Sequence, residues 1–310
     1  MPSVDEGLNQ MTVPRITIQG NQDGPTLLII AGIHGDEYES IEAVHRLAEM
    51  VDQSALVGKV VLVPIANRPA FSRQSRIGDD ALDLARTFPG HAEGTSTQQI
   101  AFELTRLIEE ADFLIDLHTG GQALEIAPLV GYMLVADQTV LDRQRRMAQA
   151  FGLPIIWGTT PQLEGRSLSA ARDAGVTAIY AEWGGGGGCQ QAGVEAYIAG
   201  CLRVLAAIEM LPGHVESQEE RPFVVEDDRE QSGHLQRNYP SPHAGLYRAL
   251  IDLQASVLPG DELGYLLDVD TLQKTVIRSS QSGQLITRRI LPAVNPGDCL
   301  AVILENAELQ

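Results

Sequence analysis

The chain is poor in several things, and each scarcity narrows what it can be. Of its 22 basic residues only two are lysines, Lys59 and Lys274, so chemistry through a lysine amine has almost no candidates. The three cysteines, Cys189, Cys201 and Cys299, are odd in number and form no CxxC pair. A disulfide framework or cysteine-based zinc site is therefore not expected, and a reduced, cytoplasmic setting fits best. No apolar run approaches the roughly 18 residues of a membrane span; the longest strong one, Thr26 to Ile33, is strand-sized. The first ten residues hold neither a basic patch nor an apolar segment, so no secretory signal is expected. There is no Gly-x-x-x-x-Gly-Lys-Ser/Thr, which excludes a P-loop, and no Gly-x-Ser-x-Gly, which argues against a serine α/β-hydrolase. Positive charge is scarce as well. With 22 basic against 41 acidic residues, the net charge of −19 repels phosphate backbones, so nucleic acid is not an expected partner.

What remains is a folded chain of 310 residues, 44% hydrophobic and 20% charged, long enough for about two domains. Its first two-thirds alternates strand-like and helix-like stretches. Strands are predicted over 26–31, 59–65, 113–117 and 177–181, and helices over about 36–51, 98–110, 138–151 and 191–210, with a long polar loop over 67–97. Apolar runs without alternation are typical of strands covered on both faces. An α/β domain with a mixed, largely parallel central sheet flanked by helices is expected. An acidic, polar break follows over about 212–233, and the remainder loses helical periodicity. There Gly245-Leu-Tyr-Arg leading to Pro259-Gly-Asp is echoed by Gly283-Gln-Leu-Ile leading to Pro296-Gly-Asp, at offsets of 38 and 37 residues. Two copies suit a pseudo-twofold β structure with Pro-Gly-Asp turns. The pattern resembles the barrel-sandwich fold of biotinyl and lipoyl domains. Lys274 lacks the flanking methionines of their modified lysine, so a plain structural barrel is expected. The boundaries are then 1–212 for the catalytic α/β unit and 213–310 for a linker and a small all-β domain.

Three segments carry chemistry. In Ala31-Gly-Ile-His34-Gly-Asp-Glu37, a histidine ends the first buried strand and a glutamate follows as the helix opens. Imidazole nitrogen with carboxylate oxygen is a common first-row metal pair. In Leu114-Ile-Asp116-Leu-His118-Thr-Gly-Gly121, a histidine again ends a strand, and Asp116 faces the same side two residues earlier, where it could hold a ligand histidine. In Ala178-Ile-Tyr-Ala-Glu182-Trp183 a glutamate ends a third strand before five glycines. Ligands of open α/β sheets collect at the carboxyl ends of strands. Two His plus one Glu is the ligand set of a catalytic zinc with one open position, and a further carboxylate could serve as general base.

These segments, with Pro64-Ile-Ala-Asn67-Arg-Pro-Ala-Phe71 and Asp83-Leu-Ala-Arg86-Thr-Phe-Pro-Gly90, resemble the succinylglutamate desuccinylase/aspartoacylase family, relatives of zinc carboxypeptidases, over about residues 26–304. The resemblance implies one zinc per chain, held by His34, Glu37 and His118. It implies Glu182 as the base that deprotonates water, Arg76 as the group that polarises the scissile carbonyl, and Arg86 as the binder of a substrate carboxylate. Arg68, Arg73, Arg76 and Arg86 place four cations within 19 residues, which suggests a local anion pocket.

One departure bears on specificity. Ala85 stands where the family commonly has an asparagine that helps hold the substrate's carboxylate. The expected activity is hydrolysis of a small N-acyl amino acid or N-acyl amine, weak on dianions such as N-acetylaspartate and succinylglutamate. The rival readings are a metallocarboxypeptidase or amidase acting on peptides, and a ligand-binding relative without catalysis. The glycine run after Glu182 lacks the third glycine of a dinucleotide fingerprint, Cys189 standing there, and argues against that cofactor. A small-molecule substrate, no membrane, and room for a homo-oligomer complete the expectation.

Overall fold

The computed structural model describes residues 3–5, 13–213, 221–230, 232–235 and 238–305. Part of the acidic break, residues 214–220, lies outside the described residues, as do residues 6–12 near the start. The chain runs through β1 (Ser3–Asp5), β2 (Arg15–Gln19), β3 (Gln22–Ile30), α1 (Tyr38–Met50), β4 (Val57–Val63), α2 (Arg68–Ser72), α3 (Ser96–Glu109), β5 (Phe113–His118), β6 (Leu124–Met133), α4 (Gln138–Phe151), β7 (Ile155–Thr159), α5 (Ser167–Ala174), β8 (Thr177–Gly185) and α6 (Gln191–Ala207). Only strands follow among the described residues: β9 (Phe223–Glu226), β10 (Gly245–Ala249), β11 (Ser256–Val257), β12 (Glu262–Leu267), β13 (Lys274–Arg278), β14 (Gly283–Arg289), β15 (Ala293–Val294) and β16 (Ala301–Leu304).

The main sheet is mixed. Its centre, β4-β3-β5-β8, is parallel throughout. β2 flanks it antiparallel on one side, and β6 on the other. Side chains alternate across each strand, so β3 feeds two cores at once. Leu27 and Ile29 enter the core beneath α1, α4 and α6, whereas Leu28 and Ile30 enter the core beneath α3 and α5. Helices on both faces explain why these strands read as unbroken apolar runs.

Several elements escape the sequence pattern, β2, β6, β7 and α5 among them. β6 contains Pro128 and Gly131, two residues that usually interrupt strands. The sheet absorbs Pro128 at a register shift between Ile126 and Leu129, and Gly131 leaves room for the ring of its partner Tyr180. β7 is only five residues long, and α5 eight. The polar loop over 67–97 is also more ordered than expected. It opens with α2, where the Asn67 side chain accepts from the Ala70 amide at 3.1 Å and Pro69 sits in the first turn. It closes on a 3₁₀ turn, Leu84–Arg86, capped by Asp83.

After residue 222 the strands divide. β13-β12-β10-β15 form a sheet of their own, while β14 pairs antiparallel with β6, and β9 pairs parallel with β7. β11 and β16 extend the main sheet through β14. Ile286, Cys299, Val302 and Leu304 therefore share a core with Leu124, Ile126 and Trp157. Among the described residues no helix is long and apolar enough to cross a membrane.

Candidate metal centre and substrate pocket

The parallel register brings the three strand ends to one edge. His118 lies directly opposite Glu182 across β5 and β8, and β3 is the neighbour of β5 on its other side. The turn after β3 then folds His34 and Glu37 over that edge. This needs glycine at position 35, because a Cβ there would stand 2.0 Å from the backbone carbon of Ala70. On the β8 side, Gly185 has φ of 128°, and a Cβ would meet the Leu124 carbonyl oxygen at 2.1 Å.

His34, Glu37 and His118 come together as the sequence suggested. Each offers a ligand atom within 4.8 Å of the others, a spacing at which one metal ion could be held. Both Nδ1 atoms face the Glu37 carboxylate, His34 at 2.6 Å from Oε1 and His118 at 3.1 Å from Oε2. Both Nε2 atoms face other carboxylates, His34 with Asp83 Oδ1 at 3.1 Å and His118 with Asp116 Oδ2 at 3.1 Å. A carboxylate behind each imidazole fixes its ring and tautomer with the other nitrogen turned to a common point, the usual support of metal-ligating histidines. The donor set and its backing fit zinc. Tyr197 adds a further restraint, its hydroxyl donating to the His118 carbonyl.

The charges follow from this packing. Burial opposes ionisation of Glu37, yet the two histidines hold its pKa well below the usual carboxylate range. Burial likewise disfavours the charged His118, but Asp116 and Glu37 carry its pKa well above the ordinary value. Glu182 is different. Only 7% exposed, it is pushed by burial up to about 8, with His118 and Arg76 pulling down and Glu37 adding to the rise. Its Oε2 has no hydrogen-bond partner among the described residues.

Arg76 reaches Asp83 Oδ2 through Nε at 3.1 Å and Nη2 at 2.9 Å, and its Nη1 lies 3.9 Å from Glu37 Oε1. Arg86 and Ala85 line the same pocket, and Arg86 Nη1 donates to the Ala85 carbonyl at 2.6 Å. The four-arginine cluster is only half realised. Arg68 and Arg73 lie exposed on or beside α2, away from the pocket lining. Two unforeseen residues matter instead. Asp83 ties Arg76 to His34, and burial notwithstanding, His34 and Arg76 keep its carboxyl well below the ordinary range. Its only signal was its place at the head of the Asp-Leu-Ala-Arg segment. Arg166, just before α5, adds a third arginine to the wall, and no spacing marked it.

The pocket is small, with a cavity volume of about 70 Å³. Its polar floor is His34, Glu37, His118, Asp116 and Glu182, and its apolar wall includes Phe88, Met133, Leu163 and Leu168. Gly233 and Leu235, from the segment after β9, complete the wall. Such a site can hold one small, partly charged molecule against a metal, a base and cationic donors.

Known proteins share this architecture. The model of the succinylglutamate desuccinylase/aspartoacylase catalytic domain matches residues 23–208. The chain is 30% identical over 299 residues to an N-alpha-acetyl-L-2,4-diaminobutyric acid deacetylase of Halomonas elongata, covering 94% of this chain and 86% of that protein. A crystal structure of a succinylglutamate desuccinylase from Silicibacter sp. TM1040 superposes with a TM-score of 0.83 at 31% identity, covering 94% of this chain and 88% of that one. A product-bound structure of the ectoine utilization protein EutE (DoeB) from Ruegeria pomeroyi gives 0.84 at 30%, covering 95% and 89%.

Proposed function

Because the chain belongs to the succinylglutamate desuccinylase/aspartoacylase family, we propose that it is a zinc-dependent, carboxypeptidase-like hydrolase cleaving the amide bond of a small N-acyl amino acid. The observation that carries this reading is the placement of Glu182. It stands in register with His118, beside the His34–Glu37–His118 cluster, with one carboxylate oxygen unpartnered among the described residues. A buried carboxyl poised above the ordinary range suits a group that must take up a proton near neutral pH.

His34, Glu37 and His118 would hold the zinc. When bound, the metal supplies Lewis-acid polarisation of the carbonyl and makes water easier to deprotonate. Glu182 accepts a proton from the attacking water as its oxygen bonds to the acyl carbon. Glu182 then returns that proton to the nitrogen as the C–N bond breaks, leaving a carboxylate and a free amine. Arg76, oriented by Asp83, donates to the oxyanion that develops on the carbonyl. Arg86 pairs the carboxylate of the amino-acid part. Asp116 and Asp83 keep the two imidazoles aligned. We read residues 1–212 as the catalytic unit and 213–310 as linker and β-rich unit, which contributes Gly233 and Leu235 to the pocket wall. A wall closed on that side favours small substrates over peptides. The free thiols of Cys189, Cys201 and Cys299 agree with a reduced cytoplasmic setting.

The relatives named above act, by their names, on acylated amino acids, which supports a deacylase. The test pairs two variants on an N-acyl amino acid panel. Glu182→Gln keeps shape but cannot accept a proton, and turnover should fall about 10²- to 10⁴-fold with zinc retained. His34→Ala with His118→Ala should lose the metal by elemental analysis. Full zinc occupancy in the double variant, or loss of zinc in Glu182→Gln, overturns the assigned roles.

A further inference from the structure

The pocket runs sideways across the sheet. From the metal-facing end its floor passes through His118 of β5, Glu182 and Tyr180 of β8, Met133 of β6 and Thr159 of β7, in the order in which those strands lie. Tyr180 precedes Glu182 by two residues and so shares its face of β8. The phenol leans away from the metal end, over β6. Gly131 is its partner in register, and a Cβ there would stand 2.3 Å from Tyr180 Cε1 and 2.6 Å from the hydroxyl oxygen. That hydroxyl forms no hydrogen bond among the described residues, whereas His34, Glu37, Asp116 and His118 all do. Burial, reinforced by Glu182 and opposed by Arg166, holds its pKa above the ordinary value. The pocket therefore offers a neutral donor just beyond the base, within the electrostatic reach of an arginine.

We propose that the Tyr180 hydroxyl donates to the carboxylate of the substrate's amino-acid part, and that this bond selects N-acyl amino acids over N-acyl amines lacking that carboxylate. This rests on the deacylase reading above and adds a specificity-determining residue to it. The order of groups along the floor carries the assignment. The acyl carbonyl belongs at the metal end, between the ligand cluster and Arg76. Glu182 meets the nitrogen, because it returns the proton there. The substituents of that nitrogen then extend toward β6, where the Tyr180 hydroxyl lies. Arg166 spans the same end, its Nη1 donating to the Gly233 carbonyl of the far wall at 3.3 Å. The Arg86 backbone is drawn close beside it, since a Cβ at Gly165 would stand 2.6 Å from the Arg86 carbonyl oxygen. On that side an N-acyl amino acid with an apolar side chain presents one acceptor, its carboxylate. An amine without it would press the hydroxyl against carbon. A site built around a hydrogen bond discriminates strongly against a ligand that cannot make it.

The zinc-loaded enzyme is assayed on N-acetylalanine against N-acetylethylamine, and on the corresponding N-succinyl pair, so that the members of each pair differ by one carboxylate. Tyr180→Phe removes a single oxygen and leaves no described protein group without its partner, so the fold and zinc content should be those of the wild type. The alanine-to-ethylamine ratio of kcat/KM should fall about tenfold to a hundredfold, the usual worth of a hydrogen bond to a charged group. A structural role alone would lower both members of a pair together and leave the ratio unmoved. Binding gives a second readout. Calorimetry on zinc-loaded Glu182→Gln should show the affinity for the better N-acylalanine falling by a similar factor when Tyr180→Phe is added. An unmoved ratio, or an affinity within threefold of that of Glu182→Gln alone, overturns this inference and leaves the deacylase reading standing. No hydrolysis of any N-acyl amino acid by the zinc-loaded wild type overturns the deacylase reading itself.

Discussion

Removing the Asp83 carboxylate should disable the enzyme at two points simultaneously. Asp83 takes two hydrogen bonds from Arg76 through Oδ2, and through Oδ1 it meets His34 Nε2 at 3.1 Å and the Ala85 amide at 2.9 Å. In Asp83→Ala the Arg76 guanidinium loses its fork and keeps the 3.9 Å approach to Glu37 and a 3.4 Å contact with His34 Nδ1. A displaced oxyanion donor costs roughly 10²- to 10³-fold in turnover. His34 simultaneously loses the acid behind its ring, which typically weakens metal binding by about 10- to 100-fold. The two losses are read separately. Zinc affinity is measured by chelator competition, turnover at saturating zinc, and folding by circular dichroism. The effects share one residue, so they need not add. Asp83→Asn should fall between, because its amide can accept from one partner only while presenting N–H to the other. A folded Asp83→Ala protein with zinc affinity and kcat/KM both within threefold of wild type would refute the reasoning.

Two further outcomes are expected. Ala85→Asn restores a neutral donor to the pocket wall and should raise kcat/KM on N-acetylaspartate and succinylglutamate by tenfold or more, one hydrogen bond to a charged group being worth about 1.5–3 kcal/mol; no gain would show that Ala85 does not set specificity. Burial raises the pKa of Asp80, but hydrogen bonds from Thr95 and Thr97 outweigh it and hold the group at about 2. Because that value is depressed in the fold, its contribution is complete above the unfolded pKa of about 4 and vanishes as pH falls through about 2. Asp80→Asn should therefore lower stability at pH 7, by roughly 1 kcal/mol once solvent screening is allowed for, and urea midpoints of variant and wild type should converge near pH 2.

Residues close in sequence to a strand end were legible, and residues that meet across long separations were not. Phe113-Leu-Ile-Asp116-Leu-His118 announces a buried strand and the candidate histidine that ends it within six residues. The same holds for Glu182 on β8. Asp83 meets His34 across 49 positions, through a 3₁₀ turn that no periodicity marks. Arg166 enters the pocket from a short helix whose pattern is too brief to read. Arg68 and Arg73 mislead for the opposite reason. They are near Arg76 in sequence, but the α2 turn leaves them in solvent. The C-terminal repeat correctly suggested strands and turns. It could not say that β14 would join the central sheet, because strand partners are chosen by packing rather than by local propensity.

That pairing ties the fate of distant parts together. From β14 the hydrogen-bonded fabric passes to β6 and then to β8, where Glu182 and the metal-facing edge reside. Loosening the C-terminal strands would uncover a bare edge on β6, the strand that flanks the Glu182 strand. Amide protons of β14, β6 and β8 should therefore exchange with solvent as one cooperative unit, slower than those of the separate β13-β12-β10-β15 sheet. Heat or a protease that opens β14 would reach Glu182 through β6 and β8, a route separate from the pocket wall that Gly233 and Leu235 supply.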